Sequence, residues 1–291
     1  MTVISELFGK PKAIIAMAHF PPSPGQPLYD AAGGVSALLD AVGSDVEALA
    51  GSGVDAVLFC NEGDRPYRTE VGPEVPAVMA SVITELKGEL SIPFGVDILW
   101  DPRSAIGLAH AVGASFVREV FTGAYAGDFG VWNTNPADTL VYRRQVGADD
   151  VKLFYNVTAE FAAPISPREI GLTARSAVFS SLADAVCVSG VVTGSGVDTA
   201  LLASAKEAVG ADVAVVANTG VRPETVGQML SIADACIVGT ALKRDGVTWN
   251  AVDPDRVERL VSAASESGLW QPATGRAPHA ELSSLGSEEV H

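Results

Sequence analysis

Carboxylates stand at or near the ends of three short apolar runs in this chain. Glu62 and Asp64 share the stretch Asn61-Glu62-Gly63-Asp64-Arg65, Asp97 and Asp101 bracket Ile98-Leu99-Trp100, and Glu119 follows Phe116-Val117-Arg118. Carboxylates crowded into a concave site either coordinate a divalent cation or acquire separated pKa values suited to proton transfer. Glu62, Asp64 and Asp97 supply the oxygen set that would hold Mg2+, the one cofactor these residue types suggest. Glu62, Asp97 and Glu119, with His19 at the exit of the first apolar run, supply the acid–base set. Two blander readings stand beside these: Arg118 and Glu119 as a structural ion pair, and His19 as a structural hydrogen-bond donor. Neighbouring strand residues point to opposite faces, so only one of Arg118 and Glu119 can face a common site.

The second chemistry is anion binding. Ala217-Asn218-Thr219-Gly220-Val221 leads into a helical pattern near Pro223, and Val238-Gly239-Thr240-Ala241 closes the last apolar run. Glycines there let the backbone approach a ligand, and the N–H groups of Gly220, Gly239 and Thr240 can converge on phosphate oxygens. Asn218 and Thr219 flank that point. Ser189, Thr193 and Gly194 belong to a third glycine-rich loop, 189–196, that can close over the same ligand. Asn156 would orient substrate hydroxyls. Lys243 either adds a point charge or lies along a helix surface, and the glycines read alternatively as turn and cap residues. The third loop lacks the Gly-Lys-Ser/Thr ending of a Walker A motif. No lysine follows the fifth or sixth apolar run, which disfavours a Schiff-base aldolase.

The elements that must carry these residues are eight short apolar runs: Ala13–Ala18, Ala56–Cys60, Phe94–Leu99, Ser115–Val117, Val151–Tyr155, Ala185–Val188, Val213–Ala217 and Ala235–Val238. Each is nearly unbroken in apolarity, the mark of a strand buried on both faces. Amphipathic stretches alternate with them, among them 35–50, 73–90, 104–112, 167–182, 199–209, 223–232 and 254–267, several opening with proline at the first helical position. Eight strand–helix units in one chain predict a single (β/α)8 TIM barrel over residues 1–270, followed by an extension, 271–291, without apolar periodicity that is mobile or contacts a partner. A doubly wound open sheet competes, but no GxGxxG follows the first strand. In a barrel, reacting groups sit at the C-terminal ends of strands, where every residue singled out above falls, and the loops after strands 7 and 8 are the usual phosphate site. The long segment 121–136 mixes glycine with Tyr125, Phe129 and Trp132 and reads as a lid over the mouth or a protein-contact loop.

Composition narrows the class further. The chain has 291 residues, 48% hydrophobic, with 19 Lys plus Arg against 35 Asp plus Glu, a formal charge of −16. That content excludes a largely disordered chain, and the acidic balance argues against general nucleic-acid binding and adhesion to anionic lipid. Cys60, Cys187 and Cys236 sit far apart in apolar runs and read as buried thiols. Neither a secretory leader nor a membrane-spanning apolar stretch is evident, so the expectation is a soluble cytoplasmic protein. Alanines on the outer helices (Ala174, Ala203, Ala205) would allow close packing in a homo-oligomer.

Five stretches together resemble the BtpA/SgcQ family: Lys12–Gly25, Asp55–Pro66, Phe121–Gly130, Val188–Asp198 and Ala217–Val252. The resemblance implies a phosphate-binding TIM barrel, with members tied to photosystem I accumulation or carbohydrate-use operons and an ill-defined activity. The chain departs from the family pattern at Asn156–Phe161, where Asp-Val and Lys-His are usual, and at Asp97, Asp101 and Glu119, where asparagines are usual. Three functions follow as expectations. The first is an enzyme (isomerase, lyase or hydrolase) acting on a small phosphorylated sugar or nucleoside-type compound. The second is a non-catalytic assembly factor, and the third a small-ligand sensor.

Overall fold

A computed structural model describes residues 1–273. Eleven strands are found among them: β1 (Ala13–His19), β2 (Ala56–Cys60), β3 (Phe94–Asp97), β4 (Phe116–Glu119), β5 (Ala124–Gly127), β6 (Gly130–Asn133), β7 (Lys152–Asn156), β8 (Ala162–Pro164), β9 (Ala185–Val188), β10 (Ala214–Ala217) and β11 (Ala235–Val238). Eight of them close a barrel in the order β1-β2-β3-β4-β7-β9-β10-β11, each pair parallel. These are the eight apolar runs, so the predicted TIM barrel is the fold. Their alternation sorts the core into two layers. Ile15, Met17, Leu58, Phe154 and Ile237 fill the barrel, while Ile14, Ala16, Phe59, Val117 and Val238 face the helices.

The helices are α1 (Val3–Phe8), α2 (Gly34–Leu49), α3 (Glu74–Leu86), α4 (Pro102–Val112), α5 (Pro136–Gln145), α6 (Ile170–Ser181), α7 (Thr199–Val209), α8 (Pro223–Ile232) and α9 (Pro254–Glu266). Four of them begin with proline, and Asp101, Asn135 and Asp253 cap α4, α5 and α9 by accepting backbone N–H bonds. Asp101, a mouth carboxylate in the sequence, is thereby committed to structure: it accepts from Ser104 N at 3.0 Å and Val71 N at 3.2 Å.

Three features differ from the sequence expectation. Segment 121–136 is a β-hairpin rather than a loop, β5 pairing with β6 and with β8 in a small antiparallel sheet. Its strands consist largely of glycine and exposed residues and carry no apolar alternation. Second, Ala174 and Ala205 are fully buried within the chain, where they let α6 and α7 approach, so they are not available to a partner subunit; Ala203 alone of the three is exposed. Third, α1 closes the N-terminal end of the barrel, with Phe8 packed edge-on against Phe116 at 6.3 Å. The segment after α9 completes that end. Trp270 is buried and donates Nε1–H to Asp55 Oδ2 at 2.6 Å, and Ala273 N donates to Gly53 O at 2.8 Å. The remainder of the expected extension, 274–291, lies outside the described residues.

Candidate functional site

A cavity of about 570 Å3 opens at the C-terminal mouth of the barrel. Its inner wall is formed by Met17, His19, Glu62, Trp100, Arg118 and Glu160, each from the end of a barrel strand or the loop that follows. Its middle is formed by the glycine loops after β9, β10 and β11, including Thr193, Gly194, Asn218, Thr219, Gly220, Gly239 and Thr240. Toward solvent it ends between α8 and α9, at Arg222, Arg256 and Arg259.

The three loops are held against one another. Gly190 N donates to Thr219 Oγ1 at 2.5 Å. Gly220, at φ +63, lies so close to Ser195 and Gly196 that a Cβ would stand 2.3 Å from Gly196 N. Gly239 faces the imidazole of His19, where a Cβ would be 3.2 Å from Cε1. Gly220 is needed for contact as well as for its left-handed conformation, whereas at Gly239 a side chain would crowd the His19 imidazole. Thr193 reaches across the mouth to donate to Glu62 Oε1 at 3.1 Å.

Glu62 also accepts from Tyr67 Oη at 3.1 Å. Burial raises its pKa, and Arg118 with the two hydroxyls offsets part of that rise. His19 is pushed well below the ordinary imidazole range by burial and by the charges of Lys243 and Arg118, so it is neutral at pH 7. Its Nδ1 lies 3.5 Å from Thr248 O, which assigns the ring proton to Nδ1 and leaves Nε2 as an acceptor. An acid–base pair with one pKa raised and the other lowered lines the same cavity.

Arg118 stands between Glu62, Asp97 and Glu160. Burial lowers its pKa, but the surrounding carboxylates Asp97 and Glu160 outweigh burial and the guanidinium stays charged. Its Nη2 lies 2.8 Å from Asp97 Oδ2 without hydrogen-bond alignment, so the pair is a charge contact. Glu119 lies behind it, held by the N–H of Val120. Burial and then the charge of Asp97 raise the Glu119 pKa. Glu119 Oε1 and both Asp97 oxygens otherwise lack hydrogen-bond partners, and burial raises the Asp97 pKa as well, so one proton shared by the two carboxyls would link them and still leave one Asp97 oxygen unmet.

Beneath the cavity floor, Asn156 donates to Glu160 Oε2 at 2.9 Å and accepts from Ser189 Oγ at 3.1 Å. Asn218 Nδ2 donates to Ser189 Oγ at 2.6 Å and to Glu160 Oε1 at 3.4 Å, closing a ring that fixes Glu160.

His19, Glu62, Thr193, Gly194, Asn218, Thr219, Gly220, Gly239 and Thr240 line one cavity, whereas Asp97, Glu119, Asn156 and Ser189 do not line it. Glu62, Asp64 and Asp97 do not converge as a Mg2+ set. Asp64 accepts from Ser23 N at 2.6 Å and Asn61 Nδ2 at 3.0 Å, and Asp97 faces Arg118. Among the described residues no group of three or more His, Cys, Asp or Glu is arranged to hold a metal ion. Lys243 is neither a surface residue nor a cavity residue: its side chain is 1% exposed and paired with Asp45. Glu160 and Phe161 were missed as site residues. They lie past the end of β7, and the only signal was a carboxylate within a few residues of a strand end.

A closed parallel barrel with buried titratable groups and glycine loops around one mouth defines a TIM barrel with a cavity at the C-terminal ends of its strands. The chain belongs to the BtpA family, whose model matches residues 10–266. It is 46% identical over 261 residues to SgcQ, an sgc region protein of Escherichia coli K12, covering 90% of this chain and 97% of that one. It is 30% identical over 263 residues to the photosystem I biogenesis protein BtpA of Synechocystis, covering 89% and 90%. Among solved structures it resembles a thiamine phosphate pyrophosphorylase from Pyrococcus furiosus at 15% identity and a TM-score of 0.54, covering 91% and 99%; that likeness concerns the fold.

Proposed function

We propose that the chain is an enzyme that moves a proton on a small phosphorylated compound. The phosphate sits on the loops at Thr219-Gly220 and Gly239-Thr240, within the field of the arginines between α8 and α9. Glu62 and His19 then exchange protons with the carbon skeleton, and Glu160 and Arg118 position it. Isomerisation, elimination and glycosidic hydrolysis are the reaction classes such a pair serves. The observation that carries this reading is that both glycine loops and the Glu62–His19 pair line one cavity. An assembly factor has no need of buried, oppositely shifted titratable groups at a barrel mouth. The photosystem I biogenesis role in the name of one relative therefore supports the second reading only through that name.

The test is a thermal-shift screen of phosphorylated metabolites followed by turnover assays. Stabilisation by at least one such compound is expected, together with a loss of about 100-fold or more in kcat for Glu62→Gln. Absence of any stabilising compound at millimolar concentration would favour a scaffold, and stabilisation without turnover would favour a sensor.

A further inference from the structure

The two ends of the cavity differ in charge. Toward solvent it is lined by Arg222, Arg256 and Arg259, with Glu224 as the acidic neighbour. At the barrel axis Glu62 and Glu160 line it with Arg118, and Asp97 and Glu119 stand behind that single guanidinium. Four carboxyls surround one guanidinium there, and with Glu62, Asp97 and Glu160 ionised negative charge exceeds positive even when Glu119 holds a proton. A second anionic group on the ligand would be repelled there.

Three residues of the inner wall also carry enclosed polar atoms that nothing in the chain satisfies. Arg118 is 5% exposed, Trp100 2% and Asn218 4%. Yet Arg118 Nε and Nη1, Trp100 Nε1 and Asn218 Oδ1 have no hydrogen-bond partner. Buried groups left in this state are costly and point to a ligand that completes them. Two of these residues need acceptors and one needs a donor. A hydroxyl supplies both, whereas an amine would suit the carboxylates but leave Arg118 and Trp100 unmet. Trp100 follows β3, Arg118 lies on β4 and Asn218 follows β10, so the unmet groups approach from separate sides of the barrel. A planar base presents its polar edge in one plane, while a polyol presents hydroxyls all round. Trp100 and Phe161 add aromatic surface against which C–H groups can pack.

We infer that the inner chamber takes a neutral, polyhydroxylated head, a sugar ring or open-chain polyol, on a ligand whose phosphate lies on the glycine loops. This rests on the phosphate reading above. It assigns Arg118, Trp100 and Asn218 as the groups that select the head, and it excludes a carboxylate or a nucleobase from that end.

Calorimetric titration of the full chain tests this with inorganic phosphate, ribose 5-phosphate, fructose 6-phosphate, 3-phosphoglycerate and uridine 5′-monophosphate. At least one of the two sugar phosphates is expected to bind about tenfold or more tightly than inorganic phosphate, and 3-phosphoglycerate and the nucleotide no more tightly than inorganic phosphate. Trp100→Phe and Arg118→Lys should bring the sugar-phosphate affinity back toward that of inorganic phosphate while phosphate itself still binds, which also reports that the variants are folded. The inference is overturned if phosphate binds but neither sugar phosphate exceeds it, if the carboxylate or nucleotide probe binds tightest, or if the two variants leave the ratio unchanged. Those results would leave the glycine-loop site standing. Failure of every phosphate-bearing probe would instead overturn the phosphate reading, and this inference with it.

Discussion

Glu119 shows how one buried proton can organise a site. Its carboxyl is fully buried beside Asp97, and burial followed by the charge of Asp97 raises its pKa. A carboxyl whose folded pKa exceeds its unfolded value binds more protons in the native state across the interval between the two. Stability contributed by this group is therefore full below the unfolded value, near pH 4, and is lost as pH rises through the folded value. Glu119→Gln keeps a donor toward Asp97 without the titration. Its melting temperature should fall less between pH 5 and pH 8 than that of the parent chain, with a gain of about 1 kcal/mol at the upper end for each pKa unit removed. Thermal melts across that range check it, and an unchanged pH profile would place the proton elsewhere. At this scale the sequence was only partly legible. Glu62 and His19 could be read because they stand directly at strand ends. Glu160 could not, because it becomes a site residue only when Asn156, Ser189 and Asn218 hold it. Asp64 misled for the opposite reason: proximity to Glu62 along the chain placed it beside Ser23 rather than in the cavity.

Among the elements, the loop after β11 owes its position to a remote helix. Asp45 of α2 is paired with Lys243, and its other oxygen accepts from Val252 N at 2.6 Å. Both partners are buried, so removing one leaves an uncompensated charge. Asp45→Ala is expected to cost about 3–5 kcal/mol in chemical denaturation and to weaken ligand binding by loosening the segment that carries Thr240. Retention of full stability would show that the pair contributes nothing. The barrel strands and most helices were readable because burial on two faces or an apolar stripe leaves a periodic trace. The β5–β6 hairpin and α5 leave none. The first is built from glycine and exposed residues, and in the second only Thr139 is buried. Phe161, which packs on Phe129 of the hairpin turn and on Tyr67, sits at φ +58, a conformation that a phenylalanine in the sequence does not announce.

Over the whole molecule, the two ends of the barrel divide the work. The N-terminal end is closed by α1 and by Trp270, whose indole bonds Asp55 while Lys10 pairs with the same carboxylate. The C-terminal end carries the cavity. Trp270→Ala is expected to cost about 3–5 kcal/mol of stability, as burial and an indole hydrogen bond are lost together, without changing ligand affinity in the folded protein. Denaturant titration alongside calorimetry separates the two effects. A matching loss of affinity would show that the ends are coupled. With a formal charge of −16 the molecule as a whole repels anions, so a phosphate ligand depends on the local field of the rim arginines and the loop amides. The most direct measurement is a structure of the chain determined with ribose 5-phosphate bound. The account predicts the phosphorus between Gly220 and Thr240, within hydrogen-bonding reach of both amides, and the sugar directed toward Arg118. A phosphate found against Arg118, or held outside the mouth without contact to either glycine loop, would contradict it.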